Sequence, residues 1–156
     1  MRKPRIYLET TMLNYYFEVE REAHPATRQL FECIRRGMYE AYTSTYVIDE
    51  LIKAPAEKAT KMMALIETYR INMLANNNEA ETLAEIYVQK NVIPQRFRYD
   101  GLHIACATVN DLEFIFSLNF KHINKPKTQI MTGTINIERG YRPVTITSPM
   151  EVTDYE

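Results

Sequence analysis

Phe114-Ile115-Phe116-Ser117-Leu118 is a nearly unbroken apolar run, the pattern of a strand covered on both faces of its sheet. A chain with such a strand must also supply helices for two faces. Arg5-Ile6-Tyr7-Leu8-Glu9, after Pro4, reads as a first strand; residues 39–43, 71–74 and 144–146 read as further short strands. Helical segments fall between them. Residues 12–17 form a short helix or turn carrying Leu13, Tyr16 and Phe17, and residues 18–24 an exposed connection. Pro25 opens a helix with Leu30, Phe31 and Ile34 inward and Gly37 as its stop. Ser44 is placed to cap a helix whose Val47, Ile48 and Leu51 face the core, and Pro55 ends it and begins another over 56–69. The Asn76-Asn77-Asn78 turn leads into a helix over 79–90, and Pro126 begins a last one that Gly140 stops.

Strands that alternate with helices in this way predict an α/β fold, three layers with a central, mainly parallel sheet of four or five strands and right-handed crossovers. At 156 residues, residues 1–156 are expected to form a single domain. With 46% hydrophobic and 25% charged residues, the composition is that of an ordinary globular protein, without linker or disordered tract. A net charge of -1 excludes no nucleic-acid role, because an acidic metal site can offset a basic rim. Cys33 and Cys106 sit in apolar helical patterns without metal-type spacing and read as buried thiols of a reducing compartment. Met1-Arg2-Lys3-Pro4 is basic, but only a few apolar residues follow before Glu9, so neither a signal peptide nor a membrane span is expected, and the expected location is the cytoplasm.

Tyr99-Asp100-Gly101-Leu102-His103-Ile104-Ala105-Cys106-Ala107 places one acid at the front of an otherwise apolar helix. Alone, Asp100 reads as a cap or a partner of the helix dipole. It is not alone. In a parallel α/β sheet the site lies beyond the carboxyl ends of the strands, and there the first strand ends in Glu9, the helix after the second carries Glu50, and Asn119 follows the fourth. Three converging carboxylates repel one another unless a cation sits among them. Oxygen donors without a Cys or His pattern favour Mg²⁺ or Mn²⁺, with Glu9, Glu50 and Asp100 as ligands and Asn119, Thr10 and Ser117 in support. Such a metal activates water for attack on a phosphodiester.

The order Ile6-Tyr7-Leu8-Glu9-Thr10-Thr11, Ser44-Thr45-Tyr46-Val47-Ile48-Asp49-Glu50-Leu51, Tyr99-Asp100-Gly101-Leu102-His103-Ile104-Ala105, Ser117-Leu118-Asn119-Phe120-Lys121-His122 resembles a PIN-domain protein, the family that includes VapC-like toxins. The resemblance covers essentially the whole chain, and its strongest motif is the Asp before Leu-His-Ile-Ala. It implies a Mg²⁺- or Mn²⁺-dependent endoribonuclease with Glu9, Glu50, Asp100 and Asn119 as catalytic positions, and it raises the role of toxin in a toxin-antitoxin pair. Two positions depart from the family. Glu9 stands where Asp is usual and is one methylene longer, and Asn119 stands where Asp is frequent and adds no charge. The alternative is therefore a catalytically weakened module that binds RNA or a protein partner.

Arg96, Arg98, Lys121, His122, Lys125 and Lys127 lie in loops and turns flanking the acids, where they either hold the backbone of single-stranded or structured RNA or form a solvated surface. His103, one turn after Asp100, is expected first to pack or to donate to a backbone carbonyl and second to touch the same site, and Asp49 to face solvent or form a local pair. Tyr15, Tyr16 and Phe17 read first as core or oligomer contact and second as a base-stacking surface. Exposed aromatics would suit a homodimer or a groove for an antitoxin. A phosphatase of the haloacid dehalogenase type needs an Asp after the first strand and a second acid two residues on, which Glu9-Thr10-Thr11 lacks. A response-regulator receiver needs a phosphoacceptor Asp at the end of a central strand, and none is found.

Overall fold

The computed structural model describes residues 2–152. The strands β1 (Arg5–Leu8), β2 (Glu40–Ser44), β3 (Asn72–Leu74), β4 (Phe114–Phe116) and β5 (Thr145–Thr147) pair in parallel throughout, in the order β3-β2-β1-β4-β5. Seven helices connect them: α1 (Thr10–Tyr15), α2 (His24–Arg35), α3 (Thr45–Ile52), α4 (Ala56–Thr68), α5 (Asn78–Gln89), α6 (Arg98–Val109) and α7 (Pro126–Glu138). From β1 the chain steps outward through β2 to β3, then returns past β1 to β4 and β5 on the other side. Right-handed crossovers running in opposite directions put α1 to α4 on one face and α5 to α7 on the other. The α/β architecture expected from the alternation of elements is the one observed.

Boundaries differ where local bonds decide them. Helix α1 begins at Thr10 and not Met12, because the Glu9 carbonyl already accepts the Met12 N–H at 2.9 Å; this places Glu9 at the helix N-cap, directly on the end of β1. The fourth strand stops at Phe116, since Leu118 turns away to bond the Thr11 hydroxyl at 2.8 Å. Ser44 caps α3 as expected, accepting the Tyr46 N–H. Asp100 is no cap: α6 starts two residues earlier, with Phe97 at its N-cap.

Ile6, Tyr7, Leu8, Ile115 and Phe116 are buried in the middle of the sheet, and every residue of α6 from Asp100 to Thr108 is buried. An apolar helix without a solvated face belongs inside a molecule, and here it takes its acid in with it. Tyr16 packs edge-on against Phe17, Phe31 and Tyr69, so this aromatic group serves the core, the first of the readings given to it. Cys33 and Cys106 are buried free thiols. Among the described residues no helix is long and apolar enough to cross a membrane.

Gly101 sets how closely α6 approaches α5. A Cβ there would meet the Ile93 Cδ1 atom at 3.2 Å and the Tyr87 Cδ2 atom at 3.5 Å. A β-branched side chain at this position makes the Ile93 and Tyr87 side chains give way beside the helix that carries Asp100 and His103. Gly101→Val is expected to destabilise the protein by about 1–3 kcal/mol, the range of overpacked cores. Denaturant unfolding checks this, and a variant as stable as wild type would contradict the close packing.

Candidate metal centre at the sheet switch point

Strand order reverses at β1, so the loops leaving β1 and β4 diverge and open a crevice at the carboxyl end of the sheet. Glu9 stands in it at 3% exposure. Its Oε1 accepts hydrogen bonds from Thr11 Oγ1 at 2.6 Å and Ser117 Oγ at 2.7 Å. The same hydroxyls are acceptors too, Thr11 from the Leu118 N–H and Ser117 from the Asn119 N–H. The turn after β1 and the loop after β4 are thus laced together through one carboxylate.

Glu50, the sixth residue of α3, accepts from Thr10 Oγ1 at 2.5 Å and from His103 Nε2 at 2.7 Å, both on Oε1. Asp100 lies in the first turn of α6, where Asn119 Nδ2 donates to its Oδ1 at 3.3 Å. The Asn119 Oδ1 accepts the His122 backbone N–H at 3.0 Å. That bond fixes the orientation of the amide, so an N–H group of Asn119 faces Asp100. Ligand atoms of Glu9, Glu50 and His103 all lie within 4.8 Å of one another; Asp100 is outside this group but close enough to feel the charge of each member.

His103 departs from the first of its two readings and follows the second, contact with the acid site. It neither packs passively nor donates to a carbonyl: with no exposure at all, it bridges Glu50 and the Tyr7 hydroxyl, which lies 2.7 Å from Nδ1. Tyr7 was not among the candidates. The available signals were the spacing of Asp100 and His103, three apart on one helix face, and a hydroxyl-bearing residue two before Glu9. Asp49 forms no local pair: it accepts from the Tyr99 hydroxyl of α6 at 2.8 Å, a bond between two helices.

Burial pushes the Glu9 carboxyl above its ordinary range, against the charge of His103 and the bonds from Thr11 and Ser117. Burial also pushes Glu50 upward, but the His103 bond and charge, Thr10 and Lys53 outweigh it and leave Glu50 low. Asp100 is pushed up to about 6 by burial, opposed by His103 and reinforced by the charges of Glu9 and Glu50. For His103 the burial that disfavours its charge is overcome by Glu50, Glu9 and Asp100, and its pKa is raised. A cluster whose carboxylates repel one another is of the kind that can hold a divalent cation; the ligand atoms that come together are those of Glu9, Glu50 and His103, with the Asp100 carboxylate beside them.

Beside the acids, the Phe97 ring stacks on His122 with centroids 3.9 Å apart, and the Arg96 guanidinium lies 4.9 Å from the Phe97 centroid. Burial, then the charges of Lys121, Lys125 and Arg96, lower the His122 pKa, which puts these four in one basic group. Arg98 is half-buried at the first position of α6, and Lys127 is exposed in α7.

No family model and no curated protein matches the chain. Among solved structures, the crystal structure of VapBC2 from Rickettsia felis bound to a DNA fragment from their promoter contains a chain similar to this one. The match covers 91% of this chain and 96% of that chain, with a TM-score of 0.57 and 13% sequence identity. The likeness is one of fold, which is PIN-like. Within this PIN-like domain, Glu9 and Glu50 meet in the crevice as expected, Thr10 serves Glu50, Ser117 serves Glu9, and Asn119 serves Asp100.

A carboxyl that titrates near 6 when folded and near 3.8 when unfolded binds its proton more tightly in the native state. The stability that Asp100 contributes to the metal-free domain is therefore present below about pH 4 and lost as pH rises to about 6. In chelator, Asp100→Asn is expected to be more stable than wild type at pH 6.5, by on the order of 2 kcal/mol, with the advantage gone at pH 4. Denaturant unfolding at the two pH values decides it; equal stability at both would contradict the raised pKa.

Proposed function

We propose that this PIN-like domain is a Mg²⁺- or Mn²⁺-dependent endoribonuclease, with Glu9, Glu50 and Asp100 as metal ligands. The observation that supports the reading is that Glu9 and Glu50 meet at the switch point of a PIN-like sheet, with Asp100 close enough to feel the charge of both. A divalent cation held by their oxygens supplies the charge needed for in-line attack of water on a phosphodiester. The chain's own part is positioning. Thr11 and Ser117 hold Glu9 by one oxygen, so its extra methylene is restrained by two hydroxyls. Asn119 holds Asp100 through an N–H, a different task from orienting water by its carbonyl oxygen.

Arg96, Lys121, His122 and Lys125 would lie along the phosphate backbone of single-stranded or structured RNA, with Arg98 beside them. The exposed Phe120, between Asn119 and Lys121, adds an aromatic surface to the same rim. The likeness to a VapBC2 chain supports the further reading that the protein is the toxin of a toxin-antitoxin pair and meets an antitoxin protein.

Calorimetric titration with Mn²⁺ followed by cleavage of an unstructured RNA tests the reading. Wild type is expected to bind the metal and cut; Asp100→Asn should lose at least about 100-fold in rate, as expected when a group that positions the reaction is removed. Unchanged cleavage by Asp100→Asn would overturn the mechanism, and RNA binding without cleavage by wild type would leave the binding module. For the basic rim, Lys121→Ala is expected to weaken RNA binding without regard to sequence and to reduce the log-log salt slope by about 0.7. An unchanged slope would remove Lys121 from the backbone path.

A further inference from the structure

We propose that His103 is a positioning residue of the acid cluster, holding the Glu50 carboxylate by its Nε2–H while Tyr7 and Ser44 fix its ring, and is not itself a metal ligand. The geometry stands without the ribonuclease reading; the consequence for metal binding rests on it.

A carboxylate has no proton to give, so across the 2.7 Å contact the imidazole donates from Nε2 and Glu50 accepts. In the neutral ring Nδ1 is then an acceptor, and the Tyr7 hydroxyl, 2.7 Å away, must donate to it. The Tyr7 oxygen is left to accept from the Ser44 hydroxyl at 2.7 Å, and Ser44 Oγ in turn accepts the Tyr46 N–H at the start of α3. Every proton in the chain Tyr46, Ser44, Tyr7, His103, Glu50 then has one direction. When the ring carries two protons, Nδ1–H donates to Tyr7 and the Tyr7 hydroxyl turns to Ser44, but Nε2–H still points at Glu50. In neither state does Nε2 offer a lone pair to a cation.

Closeness of Glu9, Glu50 and His103 would otherwise read as a mixed nitrogen and oxygen site, the kind that suits zinc. With the imidazole engaged at both nitrogens, the donors that remain are carboxylate oxygens, and the site stays hard. The bond has a second effect. Glu50 belongs to α3 and His103 to α6, helices assigned above to opposite faces of the sheet, so their contact ties the two layers across its carboxyl edge. Tyr7 and His103 are both fully buried, so the anchor is rigid where the Glu50 side chain, 30% exposed, is not.

The chain has three histidines, which makes imidazole nitrogen NMR on the full-length protein direct. His103 is expected to carry its proton on Nε2 and to keep it when Mg²⁺ or Zn²⁺ is added. An Nδ1–H tautomer in wild type, or loss of the Nε2 proton on adding Zn²⁺, would overturn the proposal. In Mn²⁺ calorimetry His103→Leu should bind about 10–100-fold more weakly, the usual cost of losing a partner of a metal ligand, and His103→Gln, which keeps an N–H near the same place, should recover much of it. Wild-type affinity in a folded His103→Leu would also overturn it. Should that variant not fold, Tyr7→Phe leaves Glu50 in place as the acceptor, so His103 should keep its proton on Nε2 while the Nδ1 resonance moves to that of an unbonded ring nitrogen; an Nδ1 resonance that does not move would count against the chain of bonds. Wild type that fails to bind Mn²⁺ refutes the metal-dependent ribonuclease and the metal-binding part of this proposal, while the tautomer still decides how His103 holds Glu50.

Discussion

Burying the charge of Glu9 is the constraint to which the rest of the crevice answers. A carboxylate at 3% exposure is costly unless donors surround it, and the donors come from two hydroxyls on different loops, Thr11 and Ser117. Each of those hydroxyls in turn relieves a backbone N–H in the loop after β4. That loop contains Asn119, whose amide reaches Asp100 on α6. One buried charge thereby sets the path of the chain after both central strands, at the place where the sheet changes direction and a crevice must form.

The second half of the arrangement is carried by α6. Its apolar positions leave no side for water, so Asp100 and His103 are taken into the interior by the packing of Gly101 on α5 and of Ile104 and Ala105 within the core. Burial then does opposite things to the two groups. It favours the protonated acid and the neutral imidazole, while the neighbouring carboxylates favour the protonated imidazole; Asp100 is displaced to about 6 and His103 upward. Glu50, better solvated and paired with His103, stays low. Three carboxylates of similar intrinsic strength are thus separated by environment alone.

Much of this was legible in the residues. Ile6 to Leu8 and Phe114 to Phe116 announce central strands through unbroken apolar character, and the alternation with helices leads to the parallel sheet, whose carboxyl edge then brings Glu9, Glu50 and Asn119 together. Element ends were less legible because single bonds decide them, such as the Glu9 carbonyl starting α1 two residues early. The first reading of His103, as a packed or carbonyl-bonded residue, fails for a related reason. Whether a buried imidazole packs or bridges depends on what lies 2.7 Å from each nitrogen, and its partners, Tyr7 and Glu50, are about 96 and 53 residues away in the chain. Ring orientation of that kind has no local signature.

Asn119 shows how the cluster limits its own charge. A fourth carboxylate at this position, facing Asp100, would add repulsion to a group that burial, Glu9 and Glu50 already hold near 6. The amide instead offers Asp100 a hydrogen bond that lowers its pKa, while its oxygen secures the His122 N–H beneath the Phe97 stack. The exchange of charge for a donor favours an ionised Asp100 before any cation arrives, and it couples the acid to the basic rim through a single side chain. With an acid in place of Asn119, the attraction for a divalent cation would be greater but the His122 turn and Asp100 would be tied by repulsion and not by a bond. The extra methylene of Glu9 fits the same logic, since a longer acid can be held by Thr11 and Ser117 on one oxygen and still present the other to the crevice.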